Sequence, residues 1–150
     1  MGRIYDGFIN FFKQDEWPYQ EIEGRPLIRT GFAGKNGEWT CFAQAREDME
    51  QFVFYSIAPV KAPAEKHDAV VEFITRANYG MIIGNFEFDY SDGEVRYKTA
   101  LDVEGGEATF TMLRNLIYIN VRTMDRYLSG LMKVIYTDIS PAEAIREIEG

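Results

Sequence analysis

The chain has 150 residues, 46% of them apolar, which is the length of one domain with one core and enough apolar side chain to fill it. Sixteen Lys and Arg against 24 Asp and Glu leave a net charge of −8. Such a surface repels phosphate and sets nucleic acid and anionic membrane aside as default partners. Cys41 is the only cysteine, so no intramolecular disulfide forms; the start MGRIYDGF lacks the basic-then-apolar order of a secretory leader, and Asp6 stands where N-myristoylation needs Ser or Thr. No apolar run approaches a membrane span, and the expected location is the cytoplasm.

Taken in chain order, Ile4, Phe8, Phe11 and Phe12 recur at spacings of three and four, which predicts an amphipathic helix over Arg3 to Asp15, ended by Trp17-Pro18. Asn36-Gly37 then predicts a two-residue type I′ hairpin, since both central residues of that turn need positive φ. Counting outward from it sets Phe32 opposite Cys41, Thr30 opposite Ala43 and Ile28 opposite Ala45 on one face, with Arg29 and Gln44 on the other. The run QFVFYSIA adds a third strand to this meander.

Val70, Phe73, Ile74 and Ala77 return to helical spacing after Pro63, and this helix should end between Asn78 and Gly80. Asp92-Gly93 predicts a second two-residue hairpin. Its register sets Tyr90 against Val95, Phe88 against Tyr97 and Phe86 against Thr99, with Asp89 facing Arg96 and Glu87 facing Lys98 on the opposite side. These carboxylates therefore read as scaffold. Phe110, Leu113, Ile117, Val121, Met124, Leu128, Leu131 and Ile135 predict one long helix, with Ser129-Gly130 as its easiest bend. Ser140-Pro141 with Glu143 signals a short last helix through a capping box. The expected fold is α+β, ordered α-β-β-β-α-β-β-α-α, with an antiparallel sheet of about five strands packed against helices in one domain spanning 1–150.

The chemistry-bearing residues yield no catalytic, cofactor or metal set. DYSDGE fails as a calcium loop: if Gly93 is the loop glycine, Phe88 and Tyr90 fall at the first two ligand positions and Thr99 at the closing one. GMIIG has neither the spacing nor the lysine of a phosphate cradle. His67 is the only histidine and reads as a solvated helix residue, while Cys41 reads as a small apolar side chain on a core-facing strand. The clusters Glu47/Asp48/Glu50 and Asp102/Glu104/Glu107 read as solvated loop acids.

On the segments GEWTCFAQARED, QFVFYS, EFITRANYGMIIGNFEFDYSDGEVRYKTALDVEG, TMDRYL and SPAEAI, the chain resembles the YbjN-like proteins, a family labelled as regulators of bacterial sensory transduction, and in particular their cyanobacterial branch. The resemblance implies a fold similar to type III secretion chaperones, which are small, acidic, mostly dimeric proteins that hold partner polypeptides. It brings no catalytic residues and does not imply service to a secretion system. The expected function is a non-catalytic protein-binding or chaperone-like regulatory module; the alternative is a small-ligand sensor or enzyme with a pocket between sheet and helices. A homodimer is expected as well. Apolar residues on more than one side of the long helix require cover on two sides, and Met112, Leu116 and Ile119 form a candidate second seam for a dimer or partner.

Overall fold

In the computed structural model, which describes every residue from Met1 to Gly150, the chain runs α1 (Arg3–Gln14), β1 (Tyr19–Glu21), β2 (Leu27–Ala33), β3 (Glu38–Arg46), β4 (Gln51–Lys61), α2 (His67–Asn78), β5 (Asn85–Phe88), β6 (Glu94–Asp102), α3 (Phe110–Tyr136) and α4 (Pro141–Glu149). This is the expected α+β class. The sheet is antiparallel throughout, in the order β1-β2-β3-β4-β6-β5. It has six strands rather than about five. The addition is β1, three residues too short to show a period, which pairs along the open edge of β2 where Thr30 Oγ1 donates to the Pro18 carbonyl at 2.6 Å.

Alternate residues of each strand face one core of 33 buried side chains, which draws Phe8 from α1, Phe73 from α2, Ile117 from α3 and Ala144 from α4 against Ile28, Cys41, Phe54 and Tyr97 of the sheet. Val53, of opposite parity on β4, is buried but lies outside that core. All four helices thus cover one face and leave the other to solvent. On the central strands the covered face sets Trp39, Phe52 and Phe54 among the smaller Cys41, Ala43, Ala45, Ser56 and Ala58, where the helices can approach closely.

Asn120 anchors that approach. It is fully buried in α3, and its Nδ2 donates to the carbonyls of Phe54 (2.9 Å) and Tyr97 (3.1 Å) and to Thr99 Oγ1 (3.2 Å). Thr99 Oγ1 donates in turn to the Leu116 carbonyl at 3.0 Å. The contact ties one turn of α3 to the β4–β6 seam. Asn120 Oδ1 has no partner. The amide orientation is nonetheless the only sensible one, because turning it over would set oxygen against three oxygens.

Both hairpins differ from their expected registers by two residues. In the first, Phe32 faces Trp39, Thr30 faces Cys41 and Ile28 faces Ala43. The loop runs over four residues, closed by Gly34 N–H donating to the Gly37 carbonyl at 2.8 Å. A tertiary contact selects this longer loop: Asp125 of α3 accepts the backbone N–H groups of Lys35 (3.1 Å) and Asn36 (2.8 Å), and Asn36 Nδ2 donates to the Asp125 carbonyl. A Cβ at position 34 would sit 2.3 Å from Asp125 Oδ1, so only glycine admits the carboxylate.

In the second hairpin Phe88 faces Val95, Phe86 faces Tyr97 and Glu87 faces Arg96. Asp89 accepts from Ser91 N–H (2.8 Å) and Asp92 from Glu94 N–H (3.0 Å), and Lys61 Nζ holds Asp92 at 2.9 Å. A shift of two preserves which strand side chains face the core, so Phe86 and Tyr97 are buried as expected, but it moves Tyr90 off the end of β5 into the turn, where it is exposed instead of facing Val95. The charge pairing is redistributed: the expected Asp89–Arg96 pair does not form, because Asp89 lies in the turn and accepts from Ser91, and Glu87 instead takes Arg96 Nε directly across at 2.7 Å and Lys98 Nζ on the diagonal at 3.0 Å.

Helix α1 begins under Glu47, whose carboxylate accepts Ile4 N–H (3.1 Å) and Tyr5 N–H (2.8 Å) at the positive end of the helix dipole. Helix α3, at 27 residues about 40 Å long, is uninterrupted through Ser129-Gly130. Gly130 serves contact rather than bending, since a Cβ there would lie 2.4 Å from Ile148 Cδ1 and 3.0 Å from the Phe73 ring. The second apolar side of α3 is covered within the chain by α1, α2 and α4. Three buried-to-rim phenols fasten these layers: Tyr118 to Asp15 (2.5 Å), Tyr127 to Glu149 (2.6 Å) and Tyr5 to Glu21 (2.6 Å). Ser140 caps α4 through Glu143 N–H at 3.1 Å, as the sequence signals, but the expected box is not closed, because the Glu143 carboxylate turns to Arg146 at 3.1 Å instead of to the Ser140 N–H.

Replacing Asn120 by Leu should lower unfolding stability by about 1–3 kcal/mol despite the gain in apolarity, because the acceptors of β4 and β6 lose their donor. Asn120→Asp should cost more; urea denaturation of both variants reads the order. A double-mutant cycle on Glu87 and Arg96 should give a coupling of about 0.2–1 kcal/mol, and a value no larger than that between Glu87 and a distant cation would deny the pair a role. Burial, reinforced by the carboxylate bond, pushes Tyr118 and Tyr127 up to about 12. A raised folded pKa contributes stability that is complete below the free phenol value of about 10 and is lost as pH climbs toward 12. Denaturation midpoints should therefore fall across that window, and less steeply in Tyr118→Phe/Tyr127→Phe; an unchanged slope would show that these phenols titrate as free ones.

Candidate protein-interaction surface

Most of the residues singled out for chemistry are absorbed by the scaffold, and Glu104 and Glu107 are exposed. Cys41 is buried with Sγ 3.5 Å from Ser56 Oγ, and burial pushes its thiol up to about 12, so little thiolate exists near neutrality. His67 is half-buried rather than solvated: Nε2 lies 3.1 Å from the Ala62 carbonyl, and the ring meets Phe88 and Tyr90 edge-on. Cys41 and His67 thus have separate neighbours and form no pair. Glu47 caps α1, Glu50 pairs with Arg3, and Asp102 accepts from Gln51 and from Glu104 N–H. No group of three or more His, Cys, Asp or Glu side chains converges as a metal would require, and no helix is long and apolar enough to cross a membrane.

The candidate seam is divided by the fold. Leu116 is 8% exposed and belongs to the subunit core, whereas Met112 and Ile119 are half-buried at its margin. The carbonyl bond from Thr99 draws the Leu116 turn against the sheet, so the three residues do not share an open stripe. Ile119 alone belongs to the surface described next.

That surface was not anticipated. Between α2 and β5 the segment Tyr79–Gly84 displays Tyr79 at 92% exposure and Ile82 at 94%, with Ile83 at 42%. The loop is held at both ends. Asn78 accepts from Phe86 N–H (2.7 Å) and donates to the Phe86 carbonyl (3.1 Å), Met81 N–H reaches the Asn78 carbonyl, and Tyr97 Oη donates to the Ile83 carbonyl at 2.7 Å. Gly84 makes the last contact feasible, because its φ is +81° and a Cβ would lie 2.7 Å from the Lys98 carbonyl. The isoleucines are therefore presented outward by a braced backbone. A hollow of about 270 Å³ lies beneath them, lined by Met81, Ile82, Ile83 and Tyr97 on one side and by Ile119, Thr123, Arg126 and Tyr127 on the other. Ile119 also lines an adjoining hollow of about 190 Å³ with Arg114, Asn115, Tyr118 and Arg122, so the apolar loop continues into the exposed face of α3.

A larger depression of about 560 Å³ lies on the uncovered sheet face, floored by Val53, Tyr55 and Ala100 and rimmed by Gln44, Arg46, Lys98 and Asp102. It is an open trough in which Lys98 is committed to Glu87 and Asp102 to Gln51. The sequence carried a signal for the loop surface, namely Met-Ile-Ile between two glycines and the arginines at positions 114, 122 and 126, but periodicity assigns apolar residues to cores and could not show these to be outside.

No curated protein matches the chain in sequence. Among solved structures it is similar to the crystal structure of YbjN from E. coli, described as "a putative transcription regulator", with a TM-score of 0.62 at 8% identity over 87% of each chain; this likeness shows the fold. The family model described as "Putative bacterial sensory transduction regulator" matches residues 6–132, most of the helices and the whole sheet. On that match the chain belongs to the YbjN family.

Proposed function

We propose that this protein is a non-catalytic regulatory module that works by holding a partner polypeptide, and that loop Tyr79–Gly84 with the exposed face of α3 is where it does so. The observation that carries the reading is the display of Tyr79 and Ile82 almost entirely in water on a loop pinned at both ends. Covering one such isoleucine contributes about 1.5–3 kcal/mol, and a braced loop loses little further entropy on binding. Regulation by protein contact also suits a net charge of −8 better than direct contact with DNA. The module is chaperone-like in this limited sense, that it offers a preformed apolar surface to another chain.

The small-ligand alternative would use the hollow between β6, the loop and α3. At about 270 Å³ it falls below the range of about 300–1,000 Å³ usual for ligand pockets, and its outer wall is the exposed loop itself. Cover by a polypeptide fits this geometry better than enclosure of a small molecule.

Affinity capture from the host cell with the native chain and with Tyr79→Ser/Ile82→Ser tests the reading. Both positions are exposed, so the variant should unfold within about 0.5 kcal/mol of the native protein. It should lose a polypeptide that the native chain retains. An identical set of captured proteins from a folded variant would remove the loop from the contact.

A further inference from the structure

Resting on the reading of loop 79–84 as a contact surface, we propose that the segment held there is acidic: its carboxylates are taken by Arg114, Arg122 and Arg126 of α3 while its apolar side chains cover Ile119, Ile82 and Tyr79. Helix α3 carries four cations and one carboxylate, so the remainder of the chain, with 12 basic and 23 acidic residues, holds −11. The carboxylate, Asp125, is spent on the backbone of Lys35 and Asn36, and Lys133 is spent on Glu147 at 2.7 Å. The three arginines meet no carboxylate. Arg114 bonds only its neighbour Asn115, Arg122 lies 5.2 Å from the centre of the Tyr118 ring, and Arg126 lies 5.3 Å from that of Tyr127. Elsewhere in this acidic molecule Arg3, Arg76, Arg96 and Arg146 are claimed by glutamates. Arg25, Arg29 and Arg46 also form no ion pair, and what sets the three of α3 apart is that they line the two hollows that meet at Ile119, one of them walled by the exposed loop.

The spacing fits a short segment. Positions 114, 122 and 126 span twelve residues of helix, about 18 Å, with Ile119 between the first two. An extended chain at about 3.3 Å per residue covers that distance in five or six residues. Each guanidinium offers a planar fork that a carboxylate can meet with two hydrogen bonds, and aromatic rings already hold two of the forks in place.

Other occupants fit less well. A twofold pairing of this patch with itself repeats the same residues on both sides and sets arginine toward arginine; docking onto the acidic remainder of another copy is head-to-tail and does not close. A nucleic acid would satisfy the arginines but offers few apolar groups for Ile82, and its length would carry phosphates over the −11 remainder. An anionic bilayer would bring that same acidic surface close to its headgroups.

Fluorescence anisotropy tests the proposal with a labelled twelve-residue peptide of glutamate and leucine, its lysine-for-glutamate twin, a twelve-nucleotide oligothymidylate and phosphatidylserine vesicles. The native chain should prefer the acidic peptide over its twin by at least tenfold, more strongly at low salt. Arg114→Glu/Arg122→Glu/Arg126→Glu, checked for folding by circular dichroism, should invert that preference. Should this variant misfold, Arg122→Gln should still weaken the acidic peptide severalfold. The proposal is overturned by equal affinity for the twins, by a Kd for the acidic peptide weaker than about 1 mM, by tighter binding of oligothymidylate or vesicles, or by light scattering that shows the native chain alone occupying the patch through self-association. Capture of the cellular partner separates the two levels: retention by the arginine variants with loss from Tyr79→Ser/Ile82→Ser overturns the acidic segment and leaves the contact surface standing, whereas retention by both sets overturns both.

Discussion

The architecture depends on the amide of Asn120. A long helix lying over a sheet is held by apolar packing, which resists separation but resists sliding poorly, because one apolar contact is nearly as good as the next. The donation from Asn120 to Phe54, Tyr97 and Thr99, with the return bond from Thr99 to Leu116, fixes α3 along and across the β4–β6 seam. An unpartnered Oδ1 is the cost, about 1–3 kcal/mol by the usual scale for a buried polar atom. The two N–H groups of the amide, shared among three acceptors in a low-dielectric interior, offset it, and a slipped helix would part them from those acceptors.

Once α3 is fixed, much of the periphery follows from its length. Its middle brings Asp125 to the β2–β3 loop and sets that hairpin's register. Its first half reaches α1 through Tyr118 and Asp15, and its second half packs on α2 and α4 where Gly130 lets Phe73 and Ile148 come close. The same placement sets Ile119 and Arg126 beneath the Tyr79–Gly84 loop, whose far end is tied to Tyr97. The residue that positions the loop from the sheet and the helix that underlies it therefore meet at one anchor, since Tyr97 also lends its carbonyl to Asn120.

Carboxylates in this acidic chain divide by what they accept. Glu47, Asp89, Asp92, Asp102 and Asp125 accept backbone N–H groups at a helix start or in turns. Glu50, Glu72, Glu87 and Glu143 accept arginines. Glu87 shows the balance: burial raises its pKa, but hydrogen bonds from Lys98 and Arg96 outweigh burial and hold it below the ordinary value. Glu47, Glu50 and Asp102, which resemble parts of ligand clusters in one dimension, are thereby consumed as structural acceptors, and the arginines of α3 are among the cations left without a carboxylate.

The sequence by itself determined the class, the helices, the pairing of strands within each hairpin and the face that each strand residue takes. All of these rest on local periodicity, capping and turn chemistry, which need no knowledge of distant residues. It left open the short edge strand β1, too brief to carry a period, and it misplaced both hairpin registers by two. In each case a partner far along the chain won over the local turn preference: Asp125 for the loop at Asn36, and Lys61 with Ala62 for the loop at Asp92. The tertiary structure alone decided that Leu116 is internal and Ile82 external, because apolar patterning states which residues can be buried and not whether anything lies over them. It also decided that Arg126 lies beside an exposed loop from another part of the chain and that Ile119 joins this hollow to the one lined by Arg114 and Arg122, since that nearness exists only once the helix has been set across the sheet.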